Sequence, residues 1–174
     1  MAATPRLSLR RFDAGDAPFV LALLNDAAFL RFIGDRGVRS LEDAHAWIEA
    51  GPRASYERNG FGLYVVETRN PVTTVGMCGI LKRDQLPDPD LGFAFAAEHR
   101  AKGYGGEAAS AILEYARDSL GLTRIAAIVS PDNAPSLRTL TKLGFVFERM
   151  VRMAENEPEI LYLACELDGR GRQG

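Results

Sequence analysis

The chain predicts a mixed α/β (α+β) domain, with a mostly antiparallel, twisted sheet of about seven strands flanked by about four helices. Three observations predict it. Short apolar runs of strand length recur along the 174 residues. Longer stretches carry apolar residues at three- and four-residue steps, the spacing of a helix with one buried face. The connections between the middle strands are too short for a parallel crossover, which needs a dozen residues or more, so those neighbours run antiparallel.

Leu7–Phe12 alternates apolar and polar residues as a half-buried strand does. From Asp16 to Ile33, Phe19, Val20, Leu23, Leu24, Ala27, Leu30 and Ile33 trace one helical face, and Gly34-Asp35-Arg36-Gly37 ends it. Ser40-Leu41-Glu42-Asp43 resembles a capping box and opens a second helix with Ala44, Trp47 and Ile48 inward; Gly51-Pro52 interrupts it, and Ala54–Arg58 adds a turn. Phe61–Glu67, Val75–Leu81 and Leu91–Ala97 are strands joined by Asn-Pro and Pro-Asp-Pro-Asp connections. Tyr104–Leu120 is a long helix closed by Gly121, Arg124–Val129 a strand, and Asn133–Leu143 a helix stopped at Gly144. Phe145–Arg152 and Glu159–Glu166 form a last antiparallel pair.

Residues 1–167 are thus expected to form a single domain, with residues 168–174 as a disordered tail. The apolar share of 47% fills an ordinary core. A formal net charge of −2 supplies no field for DNA or RNA, so nucleic acid is not an expected partner. Cys78 and Cys165 have no metal-ligand spacing and read as buried thiols in a reducing compartment. His45 and His99 form no ligand cluster, so no metal is expected. The N-terminus lacks the apolar run of a signal peptide and no stretch reaches the length of a membrane span, which points to a cytoplasmic protein without membrane attachment.

The chemistry concentrates at Arg100-Ala101-Lys102-Gly103-Tyr104-Gly105-Gly106, between a strand and a long helix. Its glycines let the backbone turn tightly and expose N–H groups, and the helix start adds further N–H groups and the positive end of its dipole. That makes a site for a phosphate-bearing ligand. Gly103-x-Gly105-x-x-Ala108, with Asp132 downstream, formally satisfies the dinucleotide fingerprint. However, Glu98–Lys102 separate it from its strand, and the strands before it are antiparallel. A P-loop is excluded because no Gly-Lys-Ser/Thr is present.

Arg100-x-x-Gly103-x-Gly105 resembles the pyrophosphate-binding motif of the GNAT N-acetyltransferases, which take an acyl group from acetyl-CoA. Asn133-x-x-Ser136 followed by Lys142-Leu143-Gly144-Phe145 resembles that family's second motif, at the expected distance and in the expected order of elements. The resemblance runs from about Thr4 to Leu167. Within the family the chain is most similar to the RimJ/RimL-type branch of ribosomal-protein N-terminal acetyltransferases. Arg6–Phe12 reads Arg-Leu-x-Leu-Arg-x-Phe, Asp90-Leu91-Gly92-Phe93 stands for Glu-Ile-Gly-Tyr, and Gly103–Ala108 matches Gly-Tyr-x-x-Glu-Ala.

The resemblance implies acetyl-CoA as cosubstrate and direct transfer to a primary amine, a protein N-terminus or a small amine, in a ternary complex. Backbone N–H groups of Ala101, Lys102, Gly103, Tyr104, Gly105 and Gly106 are expected to hold the pyrophosphate, with Arg100 or Lys102 screening its charge. Main-chain groups of Phe93, Ala94 and Phe95 are expected to bind the pantetheine arm, almost as an added strand. Asp90 is the candidate general base, or else simply part of the Pro87–Asp90 turn. Many family members carry at position 140 a tyrosine that protonates the departing thiolate. Leu140 cannot do this, so Ser136 becomes the candidate donor, and a CoA-binding module without turnover is the alternative reading. Asn133 either contacts the pantetheine or caps its helix. Glu107 is a loop support rather than a base, and Lys142 a solvated helix residue. Asp35, Arg36 and Arg39 read as a polar surface loop, or else as substrate contacts, since the family forms part of its acceptor pocket there; the acidic turn Asp84–Asp90 is either simply solvated or a hint of a cationic acceptor. The family often forms dimers.

Overall fold

The computed structural model describes residues 2–167, so the tail expected at residues 168–174 lies outside the described residues. Seven strands form one sheet in the order β1-β2-β3-β4-β5-β7-β6. They are β1 (Leu7–Arg10), β2 (Leu63–Arg69), β3 (Val72–Leu81), β4 (Asp90–Phe95), β5 (Arg124–Val129), β6 (Val146–Val151) and β7 (Ile160–Glu166). Every pairing among the described residues is antiparallel except β4 with β5. A doubly wound parallel sheet, which the dinucleotide reading requires, is therefore not the architecture.

The helices are α1 (Ala17–Leu24), α2 (Ala27–Phe32), α3 (Leu41–Ile48), α4 (Ala54–Asn59), α5 (Tyr104–Asp118) and α6 (Ala134–Lys142). The single helix expected over Asp16–Ile33 is two helices, broken at Asn25-Asp26. Asp26 is extended (φ −60°, ψ 140°) and accepts hydrogen bonds from the N–H groups of Ala28 and Phe29, which caps α2. Ser40 caps α3 as its sequence implies, accepting from the Asp43 N–H. Gly51-Pro52 does not stop the chain's winding. A wide π turn at Glu49–Arg53 carries α3 into α4, which accommodates the proline's missing N–H.

The sheet separates two apolar layers, as strand alternation demands. On one face, Tyr64, Cys78, Ile80, Leu91, Ile125 and Leu163 meet Ala108, Ile112 and Ala116 of α5 and Leu140 of α6. On the other, Leu63, Val65 and Met77 meet Val20, Leu24, Phe29, Ala44 and Ile48 from α1–α3.

The position of the site follows from one irregularity. β4 and β5 pair only at Asp90↔Ala126, where the Ala126 N–H donates to the Pro89 carbonyl at 2.8 Å. Beyond that point the two strands diverge and leave a V-shaped opening in the sheet.

Candidate active site

The end of β4, the loop after it and the starts of α5 and α6 enclose a cavity of about 550 Å³. Phe93, Ala94, Phe95, Arg100, Ala101, Gly103, Tyr104, Gly105, Gly106, Asn133 and Ser136 all line it. Of the residues expected to bind the cosubstrate, Lys102 alone is not in its wall; its side chain is exposed and its carbonyl accepts from Arg6 at 2.9 Å.

The loop is shaped to present N–H groups. Ala101 and Gly103 both adopt left-handed conformations, with φ 59° and 81°. A non-glycine residue held there stores strain, which the protein tolerates at sites of function. α5 starts from Gly103 without a side-chain cap, and its first backbone bond runs from the Glu107 N–H to the Gly103 carbonyl. The N–H groups of Tyr104, Gly105 and Gly106 therefore lack helical partners, at the positive end of a 15-residue helix. A Cβ added at Gly106 would meet nothing within 4 Å, and one at Gly105 would touch only Phe93 and Phe95 rings at 3.7–3.9 Å. The protein itself does not need glycine at these positions for space. A ligand phosphate lying against the backbone does, and the cradle fits one.

Arg6 fastens this loop, a role the sequence reading missed. Its Nη1 donates to the Lys102 carbonyl and its Nε to Glu107 at 2.7 Å, and its guanidinium lies 4.8 Å from the centre of the Tyr104 ring. Glu107 also accepts from the Thr4 hydroxyl and the Arg6 N–H. Partial burial would raise its pKa, but these donors hold it below the usual glutamate range, so it supports the loop as an anion. Arg6→Ala is expected to weaken CoA binding about tenfold although it removes nothing from the cradle, which titration calorimetry would reveal.

β4 supplies the second wall. Ala96 N–H donates to the Val75 carbonyl, and ladder alternation then turns the main-chain groups of Ala94 and Gly92 toward β3 and those of Phe93 and Phe95 toward the V. The backbone role expected of Ala94 thus conflicts with its pairing to Met77. The Phe95 carbonyl accepts from Arg100 Nε at 3.0 Å, and Arg100 also pairs with Asp26. Arg100 thereby ties the glycine loop to the α1–α2 break, beyond its expected screening role.

On the α6 side, Asn133 caps its helix, its Oδ1 accepting from the Ser136 N–H at 3.3 Å. The Ser136 hydroxyl has no partner among the described residues. Leu140 is 2% exposed and belongs to the core. Arg138, Thr139 and Lys142 also line the cavity, so Lys142 faces it rather than lying on an uninvolved surface.

A second cavity of about 370 Å³ lies beside the first and shares Phe29, Ile33 and Phe93 with it. Trp47, Ser55, Asn59, Arg36, Arg58, Lys82 and Arg83 are among its other walls. No carboxylate or imidazole lines it among the described residues.

Asp90 is in the wall of neither cavity. It is 1% exposed, and both its oxygens face Arg83 Nε at 3.1 and 3.2 Å. Burial pushes its pKa up to about 6 against the pull of Arg83. Its placement does not support the base role expected of it, because it lines neither cavity and both its oxygens are engaged by Arg83, which lines the second. In the same turn Asp88 is also occupied, accepting from Arg124 and from the Tyr162 hydroxyl, whereas Asp84 is exposed.

The matches to known proteins agree with this geometry. Residues 6–146 match the family model described as "Acetyltransferase (GNAT) domain". The chain is 29% identical over 151 residues to the uncharacterized N-acetyltransferase YoaA of Bacillus subtilis (strain 168), covering 86% of this chain and 84% of that one. It shares its fold with the acetyltransferase of Agrobacterium tumefaciens str. C58 (TM-score 0.81, 23% identity, 95% and 93% of the two chains). It also shares it with Mycobacterium smegmatis RimJ in complex with a CoA disulfide (TM-score 0.81, 20% identity, 95% and 84%). No helix among the described residues is long and apolar enough to cross a membrane. The glycine cradle at the head of α5, the splayed β4–β5 pair and the match over most of the chain lead to one conclusion: the chain belongs to the GNAT family and is an acetyl-CoA-dependent N-acetyltransferase.

Proposed function

We propose that the protein transfers the acetyl group directly to a primary amine while donor and acceptor are bound together. The shared wall of Phe29, Ile33 and Phe93 between the two cavities carries this reading, because two separately bound molecules would meet there. The larger cavity takes acetyl-CoA, its pyrophosphate on the N–H groups of Tyr104–Gly106 and its thioester at the Phe93 backbone. The smaller cavity takes the amine.

Attack forms a C–N bond and breaks the C–S bond, whose electron pair leaves with sulfur; one proton passes from nitrogen to sulfur. A main-chain N–H in the V stabilises the oxygen that gains charge as the tetrahedral intermediate forms. The Ser136 hydroxyl donates toward the thiolate. An ammonium cannot attack, and the cations around the second cavity disfavour that form, so its first proton is released to water. Neither cysteine is poised as an acyl carrier. Cys78 is fully buried with its thiol pKa pushed far up by desolvation, and Cys165 is also buried.

If Asp90 positions Arg83 and takes no proton, Asp90→Asn should leave the shape of the pH–rate profile unchanged. Its signature belongs to stability instead. A raised carboxyl pKa favours the folded state below the unfolded value of 3.8, and this contribution is lost as pH rises through about 6. Wild type should therefore lose up to roughly 3 kcal/mol relative to Asp90→Asn between pH 3 and pH 7, read by chemical denaturation.

Thermal shift with acetyl-CoA, CoA and NAD(P), followed by CoA release across a panel of primary amines, tests the function. Stabilisation by acetyl-CoA and CoA with amine-dependent release is expected. Stabilisation by NAD(P) alone, or CoA binding with no turnover on any amine, contradicts it.

A further inference from the structure

The second cavity has the wrong charge for the cationic acceptor that the acidic turn hinted at. Arg36, Arg58, Lys82 and Arg83 contribute to its wall, and no acidic side chain does so among the described residues. Arg10 pairs with Asp16 and Glu67, and Arg124 with Asp88, Glu148 and Glu166. In the wall of this cavity only Arg83 has such a partner among the described residues, Asp90. Arg36 and Arg58 make no hydrogen bond or ion pair among the described residues. Arg36 and Arg83 repel one another, and Glu157 is the carboxylate that acts on Arg36.

Arg83 is the informative residue. The buried Asp90 grips its Nε with both oxygens, which fixes the guanidinium plane, while its two terminal nitrogens keep no protein partner. A guanidinium oriented this way offers a planar fork suited to a carboxylate. Arg36 and Arg83 repel one another beside an apolar wall of Phe29, Ile33 and Trp47, and a further anion between them would relieve that repulsion.

We propose that the acceptor is a primary amine that also bears a carboxylate, bound through Arg36 and Arg83 with its amine directed to Phe93. The proposal rests on the two-substrate reading above. A cavity of about 370 Å³ admits a free amino acid or the first residues of an acidic N-terminus, which present the same pair of groups. In both cases the anion lies at the arginines and the nucleophile at the shared wall.

The test measures kcat/KM by CoA release for matched pairs in two arms. One arm compares alanine, methionine and phenylalanine with their carboxamides; the other compares the tripeptide amides Asp-Ala-Ala and Asn-Ala-Ala. A preference of tenfold or more for the carboxylate member in either arm is expected, and the arm that shows it identifies the source. In Arg36→Gln the preference should collapse toward one through a higher KM, with acetyl-CoA affinity unchanged. Arg83→Gln should act alike. If it fails to fold around the unpaired Asp90, Arg36→Gln decides alone, because that side chain has no bonded protein partner to lose. Equal or better turnover of the neutral members in both arms, or a preference that survives Arg36→Gln, overturns the proposal and leaves the transferase intact. Absence of turnover on every amine while acetyl-CoA still binds overturns both.

Discussion

Gly106→Val should weaken CoA binding by about 100-fold or more while leaving the unliganded protein as stable as before. The two effects should separate, because the fold leaves open space at this glycine and the proposed phosphate would not. Nothing lies within 4 Å of a Cβ built there, and the residue sits in the first turn of α5, where valine is a better helix former than glycine by a few tenths of a kcal/mol. The added methyl groups instead occupy the space of the phosphate and displace it from the N–H groups of Tyr104–Gly106, a loss on the order of 3 kcal/mol for a charge-assisted cradle. Titration calorimetry with CoA, beside a thermal melt of the apo protein, reads both. Unchanged affinity would mean that the pyrophosphate binds elsewhere.

Gly79→Val has the opposite signature, a loss of fold rather than of ligand. A Cβ at Gly79 would stand 2.1 Å from the Gly62 carbonyl oxygen and 2.7 Å from the Leu63 Cα. Both are backbone atoms, and Gly62 is held in place because its carbonyl accepts from the Ile80 N–H at 3.1 Å. Relief requires β2 and β3 to separate, so the cost should reach roughly 3 kcal/mol or more, a fall in Tm of about 10 °C for a chain of this size. Gly92→Ala, on the neighbouring strand, should be much milder, since its Cβ meets mainly the flexible end of Leu81 at 2.7 Å. Equal melting temperatures for the Gly79 variant and wild type would mean that β2 and β3 yield where the geometry says they cannot.

Features encoded by near neighbours in the chain were readable; those made by distant residues were not. β5 begins and ends at its expected residues, and the capped start of α3 is where Ser40 implied it. The glycine loop was legible because its function depends on its own backbone conformation. The break at Asp26 was hidden, since apolar residues keep helical spacing straight through it. What fixes it is a local cap joined to a partner 74 residues away, Arg100. The surroundings of Asp90 were hidden for the same reason. In the sequence it is one acid of a polar turn, and only the fold buries it beneath Arg83. The charge of the second cavity was hidden likewise, because Arg36, Arg58 and Arg83 come from three separate segments. Arg6 carried a signal in the Arg-Leu-x-Leu-Arg-x-Phe pattern, but its task of holding the Lys102 carbonyl and Glu107 becomes visible only in three dimensions.

In the proposed mechanism two substrates occupy two cavities at once and meet at Phe93. Initial velocities over a grid of acetyl-CoA and acceptor concentrations test it most directly. Intersecting double-reciprocal lines are expected, with no acetylated protein found by mass spectrometry when acetyl-CoA is supplied alone. Parallel lines together with a stable acetyl-enzyme would contradict it.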